Sequence, residues 1–216
     1  IVEATTAAGL RFGVYYSGGL DWHVRPTEPL VSGADVSDLK RPRDDEYGKY
    51  CSAHVRDLID RYRPDVFWND IGWPDENFHF EEGGLGELLE HFYSQRPEGL
   101  INDRFAGAHQ DFATTEYQAG EIPEGEPWEN CRGVGLSFGF NQVEDENQYL
   151  TGAQVVRHVV DAVSKGGRVL LNVGPRADGT LHELQVAALE SLGEFMADHK
   201  PALAGSRGLG ELQIDG

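Results

Sequence analysis

The sequence predicts an α/β protein on a largely parallel sheet: a partial (β/α)8 TIM-like barrel of five or so β/α units. Three observations predict it. Short apolar runs alternate with segments of helical period, the pattern of strands joined by crossover helices. The chain has 216 residues, fewer than the ~250 that a complete barrel of this kind takes. Carboxylates and aromatic residues gather at the ends of predicted strands, where barrel enzymes carry their chemistry. An open, doubly wound sheet shares this periodicity and is the structural alternative.

The strand candidates are residues 11–17, 65–70, 99–103, 135–140 and 168–173. Between them, Tyr47, Cys51, Val55, Leu58 and Tyr62 recur at helical spacing, and Pro64 ends the stripe. Leu85, Leu88, Leu89 and Phe92 form a second stripe, and Val155, Val156, Val159 and Val163 a third that stops at Gly166-Gly167. Leu184, Ala188, Leu189, Leu192 and Phe195 form a fourth. Core packing is the expected role of all four. Two segments, 18–45 and 106–132, are long, rich in Gly, Pro and charge, and without clean period. Loops of that length in compact domains are usually functional. Residues 1–205 are expected to form one catalytic domain, and 206–216 the start of a linker.

With 39% hydrophobic and 25% charged residues, the composition is that of an ordinary globular protein, and no apolar run is long enough for a membrane span. The formal charge of −19 argues against nucleic acid, whose binding draws on Lys and Arg, and suits a neutral ligand such as a sugar. Cys51 and Cys131 lack metal spacing and are expected to be free, buried and packed as small apolar residues. Eight scattered His residues, none in an HxxxH or HExxH array, predict no metal site, and no cofactor is expected. No Gly-x-Ser-x-Gly elbow or phosphate-binding Gly loop is present. The first residues lack the basic and apolar regions of a signal peptide, no initiator Met is present, and localisation is left open.

The densest chemistry lies in Asp65-Val-Phe-Trp-Asn-Asp-Ile-Gly-Trp-Pro74. Strand alternation puts Trp68 and Asp70 on one face and Asn69 on the other, with Asp70 at the strand's C-terminal end. An aromatic ring beside a carboxylate suits a sugar, covering its C–H face while the carboxylate does polar work; a turn-capping Asp is the plainer reading. In Gly99-Leu-Ile-Asn-Asp-Arg104, Asn102 and Arg104 share a face at another strand end. Arg104 there would hold a carboxylate or donate to substrate, or else pair structurally with Asp103 or Asp111. Glycoside cleavage ordinarily takes two carboxyl groups. Asp70 is the candidate for the first. Asp111, Glu116, Glu121, Glu124, Glu126 and Glu129 all lie in the second long segment, and position does not choose among them for the second.

Six stretches together resemble the α-L-fucosidases of glycoside hydrolase family 29, particularly bacterial members. They are Leu10-Arg-Phe-Gly-Val-Tyr-Tyr-Ser-Gly-Gly-Leu-Asp-Trp22, Pro64 through Pro74, Pro97-Glu-Gly-Leu-Ile-Asn-Asp-Arg104, Asp111-Phe-Ala-Thr-Thr-Glu-Tyr117, Trp128 through Asn141, and Ser164 through Pro175. They occur in family order across nearly the whole chain. The resemblance implies Asp70 as nucleophile, Glu116 as acid/base with Glu129 as its rival, and Tyr15, Trp68, Arg104 and Phe138 as pocket residues. Phe138 would pack on the C5 methyl of fucose. The partner implied is a fucosylated oligosaccharide or glycoconjugate, with no nucleic acid or membrane; oligomeric state is left open. The resemblance also implies first strands before Ile1 and a C-terminal β-sandwich after Gly216, so the chain is read as an internal fragment of the catalytic domain. The implied reaction is retaining hydrolysis through a fucosyl-Asp70 intermediate. The competing expectations are a fragment that is inactive or only binds fucose, and a related hydrolase for another sugar.

Overall fold

The computed structural model describes residues 1–28, 41–74, 84–105, 109–117 and 125–206. The chain divides into two compact units, Ile1–Phe112 and Ala113–Gly216.

The first unit opens with a short helix, α1 (Val2–Ala7), and alternates β1 (Gly13–Ser17), α2 (Asp45–Tyr62), β2 (Val66–Asp70), α3 (Leu85–Gln95) and β3 (Leu100–Ile101). The three strands form a parallel sheet in the order β1-β2-β3. Helix α2 starts where the Asp44 side chain accepts from Tyr47 N, with Asp45 and Glu46 in the first turn to favour the positive end of the helix. It ends at Arg63, which takes a left-handed conformation (φ 44°) before Pro64. Its buried face repeats every turn as Tyr47, Cys51, Val55 and Ile59, and packs with Phe67 of β2 and Leu88 and Phe92 of α3. This apolar layer lies behind the sheet and fixes β2 in depth.

The second unit contains β4 (Ala113–Glu116), β5 (Trp128–Gly133), α4 (Gly152–Ser164), β6 (Arg168–Asn172) and α5 (Glu183–Leu203). Its strands are again parallel, in the order β4-β5-β6. Thr151 and Gln154 form a reciprocal capping box that starts α4. Val134, Tyr149, Val155 and Ala188 form the buried centre between this sheet and its helices. No described helix is long and apolar enough to cross a membrane.

Four expected strands and all four expected helices are present, with β3 cut to two residues. The expected strand at 135–140 is not one. Residues 134–139 form a succession of bends, with Leu136 58% and Phe138 40% exposed. The apolar alternation there belongs to a loop, pinned where Asn172 Nδ2 donates to the Phe138 carbonyl. Two strands lie instead inside the segment expected to be a loop. β5 reads Trp-Glu-Asn-Cys-Arg-Gly, too polar for a buried strand by pattern alone. Its Asn130 is nonetheless 1% exposed, because its amide donates to Thr115 Oγ1 of β4 and its Oδ1 meets His158 Nε2 of α4. Both thiols are free and buried, as expected. Apart from Ser206, the linker expected at 206–216 lies outside the described residues, as do Glu121 and Glu124.

Candidate active site

Parallel pairing sets Tyr15 beside Trp68 and Ser17 beside Asp70. Alternation along β2 then does what the pattern predicts. Phe67 and Asn69 point into the buried layer, 1% and 0% exposed, while Trp68 and Asp70 take the other face. On that face the Tyr15 and Trp68 rings stack with centroids 5.6 Å apart, and the Arg104 guanidinium lies 4.7 Å from the Trp68 ring centroid.

These groups converge on the Asp70 carboxylate. Oδ1 accepts from Arg104 Nη1 at 2.6 Å and from the N–H of Ile71 at 2.8 Å; Oδ2 accepts from the Tyr15 hydroxyl at 2.7 Å. The Asp70 and Arg104 side chains are 22% and 21% exposed, so the pair is enclosed yet open to a ligand. Partial burial, then the hydrogen bond to Asp70 and its charge, push the Tyr15 phenol up to about 12, so it stays a donor at neutral pH. Arg104 sits in a turn beyond β3, so it reaches Asp70 from a loop and not from the shared strand face expected for Asn102 and Arg104.

Behind the carboxylate, two buried asparagines tie the strands together. Asn102 Oδ1 accepts from Asn69 N at 3.0 Å, and Asn102 Nδ2 donates to Asn69 O at 2.9 Å. Asn69 Nδ2 donates to the Arg104 carbonyl at 2.6 Å. The backbone beside Asp70 is thereby joined to that of Arg104, and the ion pair forms between anchored chains. In front, Ile71 has φ 60°, a conformation that costs an L-residue about 1–2 kcal/mol, and its carbonyl accepts from Arg41 Nη1. Sequence reasoning missed Arg41, the Ile71 amide and the asparagine pair. Asn69 was legible only as a residue on the opposite face.

The remaining expected site residues belong to the second unit. Glu116 is the last residue of β4 and is exposed, so it stands at the C-terminal end of its sheet. Glu129 is the second residue of β5 and pairs with Thr114 and Arg168, toward the start of the strands. Phe138, on the loop after β5, meets the Tyr117 ring edge-on at 5.1 Å, and the Arg132 guanidinium lies 5.5 Å from the Tyr117 centroid. Burial holds Arg132 below the usual guanidinium range. A cavity of about 460 Å³ among α4, β6 and α5 is lined mainly by aliphatic residues such as Val163, Val169, Leu192 and Met196, and has no carboxylate. Its lining includes Gly167 and Arg168, at the start of β6. Among the described residues no group of three His, Cys, Asp or Glu could hold a metal ion.

The structure is similar to the crystal structure of Thermotoga maritima alpha-fucosidase, with 45% sequence identity and a TM-score of 0.83 over 96% of this chain and 46% of that one. The same enzyme in complex with fucose matches with 44% identity and a TM-score of 0.83, over 97% of this chain and 47% of that one. Among curated proteins, the plasma alpha-L-fucosidase of Homo sapiens is 31% identical over 196 residues, 87% of this chain and 40% of that protein. The chain thus spans less than half the length of the curated relatives it matches. The alpha-L-fucosidase family pattern matches residues 1–200, and the chain belongs to that family.

Proposed function

We propose that the protein is a retaining α-L-fucosidase in which Asp70 is the nucleophile and Glu116 the acid/base, on a partial (β/α)8 fold. The carrying observation is the Asp70 carboxylate, at the end of a parallel strand, oriented by Arg104, Tyr15 and the Ile71 amide beside the Trp68 ring. Oδ1 already accepts two of these hydrogen bonds and Oδ2 one, which leaves Oδ2 as the oxygen that attacks C1 of fucose. As the bond from Oδ2 to C1 forms, that from C1 to the glycosidic oxygen breaks, and Glu116 gives its proton to the departing oxygen. Glu116 then takes a proton from water, whose oxygen attacks C1 and frees Asp70. Two inversions leave the anomeric configuration unchanged. Arg104 and Tyr15 stabilise the carboxylate before attack and again as it departs. Trp68 faces the apolar side of the ring and Phe138 the C5 methyl. Glu116 is preferred to Glu129 because it stands at the C-terminal end of its strand.

The test is Asp70→Gly in the protein at its full length. Turnover of an aryl α-L-fucoside should vanish and return in part with azide, which enters on the face left empty and gives the β-fucosyl azide. Undiminished hydrolysis by the variant would overturn the assignment. First-formed β-L-fucose from the unaltered protein, seen by NMR, would overturn retention.

A further inference from the structure

Three non-glycine residues among those described have positive φ: Arg63, Ile71 and Tyr117. Arg63 caps a helix, where this conformation is ordinary. Ile71 caps no helix and is β-branched, the class of side chain that tolerates it least. It directly follows Asp70, and its two peptide groups are both engaged. Its N–H donates to Asp70 Oδ1 at 2.8 Å, and its carbonyl accepts from Arg41 Nη1. Two glycines make room for this arrangement. A Cβ on Gly19 would fall 2.1 Å from the Ile71 oxygen, and one on Gly72 2.1 Å from Arg41 Nη1. The Ile71 carbonyl therefore lies between the bare backbone of Gly19 and the guanidinium, which in turn covers Gly72.

We propose that Arg41 is a positioning residue: by holding the Ile71 carbonyl it keeps Ile71 left-handed and its N–H aimed at Asp70 Oδ1. The inference rests on Asp70 being the nucleophile. The physical argument is a matter of coupled peptide planes. The φ and ψ of Ile71 set the angle between the plane that carries its N–H and the plane that carries its C=O. Without a partner on the carbonyl, Ile71 relaxes toward the ordinary wells and the two planes rotate against each other. Oδ1 then keeps Arg104 but loses its second anchor, and the carboxylate can turn about its own bond. A nucleophile that turns spends less time with Oδ2 toward the anomeric carbon, and alignment of this kind carries a large part of an enzyme's rate.

The experiment compares Arg41→Gln, Arg41→Lys, Ile71→Gly and the Arg41→Gln/Ile71→Gly pair in the protein at its full length. Arg41→Gln should lower kcat on an aryl α-L-fucoside about tenfold or more, as a misaligned reacting group does, with KM and the inhibition constant of fucose changed little. Arg41→Lys should recover part of the loss. Glycine adopts positive φ freely, so in the Ile71→Gly background the same Arg41→Gln change should cost only about threefold or less. Amide exchange by NMR reads the device without turnover. The Ile71 amide should exchange about tenfold faster in Arg41→Gln while core amides of α2 keep their rates. An equal loss of kcat in both backgrounds, or an Ile71 amide as protected in Arg41→Gln as in the unaltered protein, would overturn the proposal. An unaltered protein that turns over no fucoside would instead overturn the fucosidase reading, and the exchange rates would then decide the role of Arg41 alone.

Discussion

Asn102 grips the main chain of Asn69 on both sides, accepting from its N–H at 3.0 Å and donating to its C=O at 2.9 Å. One side chain thus does what two further residues of strand pairing would do, at the point where β3 has already ended. Both asparagines are fully buried, so the bonds have no water to replace them.

Asn102→Ala is expected to leave the Asn69 N–H and carbonyl unpaired in the interior, a loss of about 1–3 kcal/mol for each group. Urea denaturation measures it. Turnover should fall by more than the loss of folded protein explains, because the Arg104 backbone is held through Asn69. A kcat per folded molecule equal to that of the unaltered protein would refute the coupling.

Tyr15→Phe removes the phenolic donor to Oδ2 while keeping the ring on Trp68. A drop of about tenfold to a hundredfold in kcat is expected, in the range of a lost transition-state donor. Stability gives a second readout. The folded-state phenol lies at about 12 against 10.0, so between these values the unfolded chain releases a proton that the folded one keeps. Stability conferred by this group is therefore present below pH 10.0 and is lost as pH rises toward about 12. The alkaline fall in urea midpoint should be shallower in Tyr15→Phe than in the unaltered protein.

Glu116→Ala should discriminate between leaving groups. Hydrolysis of a fucosyl disaccharide, whose leaving oxygen needs a proton, is expected to fall about 10²–10⁴-fold, and that of a fucoside with an acidic phenol far less. Glu129→Ala should show no such dependence. The reverse pattern in the two variants would exchange their roles.

His158 makes a pH prediction for the second unit. Burial, then the nearby charge of Arg132, hold its imidazole below the ordinary 6.5, and its Nε2 meets Asn130 Oδ1. At a pH below 6.5 the unfolded chain takes up a proton that the folded chain declines until lower pH. Stability should therefore decline as pH falls through 6.5. His158→Gln, which keeps a donor for Asn130, should flatten that decline in urea titrations from neutral to mildly acidic pH.

The sequence made legible those parts that local pattern controls. Helix α2 could be placed because Tyr47, Cys51, Val55, Leu58 and Tyr62 recur at helical spacing and Pro64 stops it, although Ile59, and not the exposed Tyr62, completes the buried face. Asp70 and Trp68 shared a face because strands alternate, and Arg104 proved to meet Asp70. What failed was the reading of β5, where Asn130 is buried only because Thr115 and His158, distant in sequence, satisfy it. The converse error arose at Leu136 and Phe138, whose alternation imitates a strand although both residues are exposed. Arg41 was out of reach for a third reason. Its partner is a carbonyl in a strained peptide, and no residue type announces a φ of 60° at an isoleucine.

The two free thiols have a practical consequence. Cys51 is completely buried on the inner face of α2 in one unit, with its Sγ donating to the Gly18 carbonyl, and Cys131 lies at 8% exposure in β5 of the other. Burial raises the Cys51 thiol above its ordinary value, which suppresses the reactive thiolate further. A thiol reagent can reach each sulfur only when its own half of the chain opens. The protein therefore carries one built-in chemical clock per unit. The rates at which Cys51 and Cys131 are labelled, followed separately by mass spectrometry, report whether the halves breathe together or apart.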